Sequence, residues 1–113
     1  MKPKPRWIKR ALAVGMAMWG WTWHGPPPPV VMVKLEPNAL GAADTANDEI
    51  LLNRASSTPW TWQRTCQTVA HEWGHLTGRG HSSDPSSIMY PRVHRFEWRC
   101  RQGGRPYIRE RRE

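Results

Sequence analysis

His71-Glu72-Trp73-Gly74-His75-Leu76-Thr77-Gly78-Arg79-Gly80-His81 is the stretch on which the reading of this chain turns. On a helix, His71 and His75 lie one turn apart and project from the same face, so their ring nitrogens reach toward a common point. Gly78 can adopt the left-handed conformation that ends a helix, letting the chain turn back so that His81 arrives as a third ligand. Three neutral nitrogen donors with a fourth position left to water form a catalytic rather than a structural zinc arrangement, which would close all four positions with protein. One catalytic Zn²⁺ is the expected cofactor.

The neighbours of the histidines extend the argument to chemistry. Zinc lowers the pKa of bound water to roughly 7 and polarises a carbonyl, so no serine or cysteine nucleophile is required. Glu72 lies beside the first ligand, where its carboxylate can take the proton from an attacking water and later protonate a leaving amine. The reaction that suits these parts is peptide-bond hydrolysis, with a peptide or protein as substrate.

The site helix is expected to start at Thr58 as N-cap and Pro59 as first helical residue, and to stop before Gly78. Trp62, Cys66, Val69 and Trp73 make an apolar stripe along it, with Arg64, Thr68, His71 and His75 on the opposite side. The tryptophans therefore read as core. Upstream, Val30 to Leu35 and Glu49 to Asn53 read as strands, and Ala39 to Ala43 as a weaker extended segment. A polar turn from Asp44 to Asp48 separates the last two.

Followed by Ser82-Ser83-Asp84-Pro85-Ser86-Ser87-Ile88-Met89-Tyr90-Pro91, the histidine string resembles the metzincin metallopeptidases and, within them, the matrixin group related to matrix metalloproteinases. Astacin-type and serralysin-type metzincins carry a tyrosine two residues after the methionine, where this chain has Pro91. The tight likeness spans residues 71 to 91, with a looser one reaching back to about residue 30. The resemblance implies an α+β fold of truncated metzincin (zincin) type: a short mixed sheet, an active-site helix, a methionine turn and a short C-terminal helix, here around His94 to Arg101. It implies that Met89 forms an apolar floor beneath the metal. It also implies that the middle of the three strands is an edge strand lining the cleft, and Leu40, Gly41, Ala42 and Ala43 are the candidate substrate-binding segment. A calcium site at Asp44, Asp48 and Glu49, as in the relatives, competes with a simple solvated acidic turn and is not claimed.

The chain also departs from that pattern. A matrixin catalytic domain has two more strands and a long helix before the stretch corresponding to Val30, and only 29 residues stand there. No cysteine precedes Cys66, so the inhibitory cysteine of latent relatives has no counterpart. In residues 1–29, Lys2, Lys4, Arg6, Lys9 and Arg10 precede an apolar run from Ala11 to Trp23, which resembles a secretory signal or an interfacial anchor and is too short to span a membrane. The competing reading makes this segment the missing long helix. With no polar residue between Ala11 and Trp21, export or anchoring is favoured over a cytoplasmic location, and Pro26 to Pro29 becomes a stiff spacer.

The net charge of +8 divides as +5 over residues 1–29, −2 over 30–91 and +5 over 92–113, so the basicity lies outside the site. Arg92, Arg95, Arg99, Arg101, Arg105, Arg109, Arg111 and Arg112 form an arginine-rich end that either binds nucleic acid or an anionic surface, or is merely solvated. Cys66 and Cys100 either pair or remain a buried and an exposed thiol. The expected organisation is a signal-like or anchoring segment with its spacer over 1–29, a catalytic domain over 30–102, and a basic tail over 103–113. A monomer is expected. The reading that competes with a zinc endopeptidase is a non-catalytic basic protein whose zinc is only structural, and dependence on Glu72 separates the two.

Overall fold

A computed structural model describes residues 2–92 and 97–104 of the chain, with side chains described as far as 101. Helix α1 spans Pro5–Trp19, strands β1, β2 and β3 span Val30–Val33, Gly41–Asp44 and Glu49–Asn53, helix α2 spans Trp62–Leu76, and a 3-10 helix spans Trp98–Gly104. The architecture is α+β with a small mixed sheet in the order β1-β3-β2. β3 is central and the most buried of the three: it pairs parallel to β1, Val30 opposite Ile50, and antiparallel to β2, Gly41 opposite Leu52. The strand that is middle in sequence is thus an edge of the sheet.

The connection between β2 and β3 is a tight polar turn. Asp44 accepts from the Asn47 amide and side chain at 3.2 and 2.9 Å, and Asp48 takes a left-handed φ of 52°. Both carboxylate oxygens of Asp44 are spent on closing this turn, which is the role an Asx residue ordinarily has there.

Helix α2 is the middle layer, with β2 and β3 on one side and α1 and the 3-10 helix on the other. That position explains why it is buried beyond its apolar stripe: Trp62, Cys66, Val69 and Trp73 face the core, and Thr65, Gln67, Thr68 and Glu72 are covered as well. Its start differs from the Thr58-Pro59 expectation. The N-cap is Thr61, whose Oγ1 accepts from the Arg64 amide at 3.1 Å. Thr58 is held instead in a local turn with Ser56, and Trp60 turns inward to donate from Nε1 to the Asn53 carbonyl at 2.9 Å. Burial of that indole outweighs the extra helical turn that Thr-Pro would otherwise allow.

Residues 5–19 form a helix that packs on α2. Proline at its first turn needs no amide partner, and Ala11 and Gly15 are buried against the second helix. Trp19 donates from Nε1 to the Ala70 carbonyl at 2.9 Å, and Trp23 meets Trp73 edge-on at 5.7 Å. The segment is thus helical and packed on α2 in this structure. The exposed positions in the apolar stretch include Ala13 and Ala17, whose small side chains cost little in water. Among the described residues no helix is long and apolar enough to cross a membrane.

Cys66 on α2 and Cys100 in the 3-10 helix are joined, with S–S 2.07 Å, and so fasten the C-terminal segment to the site helix. The closing helix expected over His94 to Arg101 begins only at Trp98 as a 3-10 turn; His94 and Arg95 lie outside the described residues, as do Arg105, Arg109, Arg111 and Arg112.

Candidate metal centre

The last turns of α2 bring His71 and His75 together, and their Nε2 atoms stand 3.2 Å apart. Each ring's other nitrogen is engaged: His71 Nδ1 donates to the Ile88 carbonyl and His75 Nδ1 to the Arg79 carbonyl, both at 2.8 Å. These two bonds assign the proton to Nδ1 in each ring and leave two Nε2 lone pairs facing one another. Lone pairs cannot hydrogen-bond to each other. Two nitrogens at about 2.0–2.1 Å from one tetrahedral ion are separated by roughly 3.3 Å, so the pair has the spacing that zinc requires. Carbonyl acceptors behind ligating imidazoles are the usual means of fixing ring and tautomer.

His81 completes the set through the helix C-terminus. Thr77 is the C-cap, Gly78 takes φ 95°, its amide donates to the His75 carbonyl at 3.0 Å, and the Arg79 amide reaches the Gly74 carbonyl at 3.1 Å. This paired closure turns the chain sharply back and delivers both the Arg79 carbonyl to His75 and His81 to the cluster. The ligand nitrogens of His71, His75 and His81 all lie within 4.8 Å of one another, and they are the group among the described residues able to hold a metal ion. Burial, more than the neighbouring imidazoles, lowers the pKa of His71, although the Ile88 carbonyl works against it. The neutral form that ligates a metal is thereby favoured.

Met89 lies under α2 next to Gly74, where an added Cβ would collide with its sulfur. Gly74 is therefore what admits the methionine beneath the helix, between the levels of the two histidines. The Ser82 amide donates to the Met89 carbonyl at 2.9 Å, tying the segment that carries the third histidine to the methionine turn.

Glu72 is 8% exposed, and its carboxyl is pushed up to about 7 by burial. It faces a cleft of about 1020 Å³ with His71, His75 and His81. Leu40, Gly41, Ala42 and Ala43 form one wall; Gly41–Asp44 is the strand and Leu40 precedes it. Ile88, Tyr90, Pro91 and Arg92 line the cleft as well. Gly41 lies so close to α2 that a Cβ would overlap Thr68 Cγ2 and the Leu51 carbonyl, which holds the edge strand directly over the helix.

Several contributors were not singled out in the sequence. Asn53 is fully buried and spends most of its side chain on the loop before β2: it accepts from the Leu35 amide and donates to the Glu36 and Ala39 carbonyls, and it also accepts from the Ala55 amide just after β3, at 2.7–2.9 Å. Gln67 accepts the Glu97 amide at 3.0 Å. Nothing in a linear sequence separates such an asparagine at a strand end from an ordinary turn residue.

Two histidines one turn apart on a helix, a third brought in by a left-handed glycine, and a carboxylate beside the first make up a centre of metallopeptidase type. The chain belongs to the matrixin family of peptidases, whose family model matches residues 37–101. That match begins in the loop before β2 and takes in the sheet edge, all of α2, the methionine turn and Cys100. No solved structure matches the chain.

Proposed function

We propose that this matrixin is a zinc-dependent endopeptidase, with His71, His75 and His81 holding one catalytic ion and Glu72 acting as general base. The observation that carries the reading is the pair of opposed Nε2 lone pairs 3.2 Å apart beside a buried carboxyl. When bound, zinc supplies Lewis acidity toward a water molecule and toward the scissile carbonyl. The protein's own groups do the rest. Glu72 accepts the proton released as water attacks and returns it to the departing amine; its burial makes that return favourable near neutral pH. The edge of β2, unpaired on its outer side among the described residues, supplies backbone groups with which an extended peptide pairs as a further strand. Met89 and Gly74 keep the floor rigid and dry.

The Cys66–Cys100 bond supports action in an oxidising compartment, such as outside the cell. Because Ala11 and Gly15 are packed against α2, this reading keeps α1 with the mature domain.

The test is cleavage of a quenched fluorescent peptide library by zinc-loaded protein beside Glu72→Ala. Turnover in the parent that is lost in the variant, with zinc still near one per chain, is the expected result. Equal background from both proteins with zinc bound would mean a structural ion and defeat the reading.

A further inference from the structure

The cleft does not end at the histidines. Arg64, Thr68, His71 and His75 occupy one face of α2 and all line it, so the cavity runs from the ligands back toward the first turn of the helix. At 1.5 Å per residue, Arg64 lies about 10 Å along the axis from His71, roughly three residues of extended chain. Arg92, beyond the methionine turn, lines the same cavity. The carboxylate in the lining is Glu72, which the proposed reaction already uses. Among the described residues neither Arg64 nor Arg92 has an ion-pair partner, whereas Arg99 is paired with Glu97 at 2.6 Å. Arg64 is also held in place, its Nη1 donating to the Pro59 carbonyl at 3.3 Å. Gln67 is in the lining too, and with its Oε1 already accepting from the Glu97 amide its NH₂ group stays available as a donor to a ligand.

From this we infer that the cleft selects peptides carrying an aspartate or glutamate within three residues of the scissile bond, bound by Arg64 and Arg92. The inference rests on the peptidase reading for the position of the scissile bond and on the cavity's own residues for the charge. An apolar side chain in the same place would leave the guanidinium without a counter-charge, and a basic one would add repulsion. A carboxylate accepts charge-assisted bonds from a guanidinium, an attraction that salt screens at so open a site.

The test is a positional library in which each of three positions on either side of the cleaved bond carries Glu, Leu or Lys in turn, run on the zinc-loaded full chain. At one position Glu is expected to exceed Leu at least tenfold in kcat/KM and Lys by more, with the preference shrinking in high salt. In Arg64→Leu/Arg92→Leu the Glu-to-Leu ratio is expected to fall toward one. If that variant loses its zinc or its fold, the comparison of peptides on the parent protein decides alone. A second arm measures calorimetric binding of peptide hydroxamates bearing Glu or Leu. No cleavage of any peptide combined with tighter binding of the Glu hydroxamate would defeat the peptidase reading and leave the acidic preference standing. Cleavage or binding indifferent to charge would overturn the acidic preference.

Discussion

Gly15 of α1 lies against the six-membered ring of Trp73, so close that a Cβ there would overlap ring atoms. Trp73 is fully buried and meets Trp23 on another side, so the ring has nowhere to move. Through this contact the N-terminal helix packs against the residue between the first two histidines. Gly15→Ala should gain up to about 1 kcal/mol in helix propensity but lose about 1–3 kcal/mol to overpacking. The expected net effect is destabilisation by about 1–2 kcal/mol in urea unfolding. A stabilised variant would show that α1 does not pack as described.

Glu72 makes stability depend on pH in the metal-stripped protein. Its folded pKa is raised from 4.5 to about 7, so between those values the folded state binds more protons than the unfolded one. The contribution is fully present below about 4.5 and is lost as pH rises through about 7. At 1.36 kcal/mol per pKa unit this amounts to about 3 kcal/mol. His71, lowered by burial, acts in the opposite sense, its contribution lost as pH falls below 6.5. The comparison that isolates Glu72 is the difference between parent and Glu72→Gln: equal stability near pH 4, and an advantage for the variant at pH 8. A difference that does not change with pH would refute the burial account.

Asn53→Ala removes four hydrogen bonds from a fully buried site and strands the amides and carbonyls of the loop that leads into β2. The expected cost is about 2–4 kcal/mol, larger than for an exposed turn asparagine. Thermal unfolding measures it. A cost below 0.5 kcal/mol would mean that water replaces the side chain.

Reduction of Cys66–Cys100 opens a loop of sequence separation 34. On loop-entropy grounds the oxidised form should be more stable by about 4 kcal/mol. Because the bond anchors α2, zinc-free protein should lose its cooperative transition first. Denaturation with and without a reductant, at fixed zinc, checks this; coincident curves would count against it.

Arg79 connects α1 to the metal centre. Its guanidinium sits 4.5 Å from the ring centroid of Trp19 and 5.7 Å from that of Trp21, while its carbonyl holds His75. Trp21 is 77% exposed, so Trp21→Ala should hardly change stability. A cation–π contact of about 0.5–1 kcal/mol predicts a two- to fivefold loss of zinc affinity, read by competition with a chromophoric chelator. Unchanged affinity would show that the stack does not steady the loop.

The clustering of His71, His75 and His81, the left-handed Gly78, the sheet edge at Gly41 to Ala43 and the core face of α2 were all legible in the chain. These features rest on short-range spacing: one helical turn between His71 and His75, a glycine past the last turn, alternating or continuous apolar runs. Such patterns act through geometry within a few residues, and local geometry is what a sequence encodes directly.

Other features were decided only by tertiary contact. Thr58-Pro59 has every local mark of a helix start, yet α2 starts at Trp62 because burying Trp60 against Asn53 outweighs a turn of helix. Residues 5–19 read first as an export or anchoring segment and second as a scaffold helix; that Gly15 lies on Trp73 and Trp19 reaches Ala70 is visible only in the folded chain. Whether Cys66 and Cys100 could join depended on the 3-10 helix docking on α2. In each case the deciding free energy comes from residues far apart in the chain, and local propensities of about 1 kcal/mol yield to it. By itself, then, the sequence determined which histidines come together and that the chain is of matrixin type; the tertiary structure decided what surrounds them, because burial belongs to the fold as a whole.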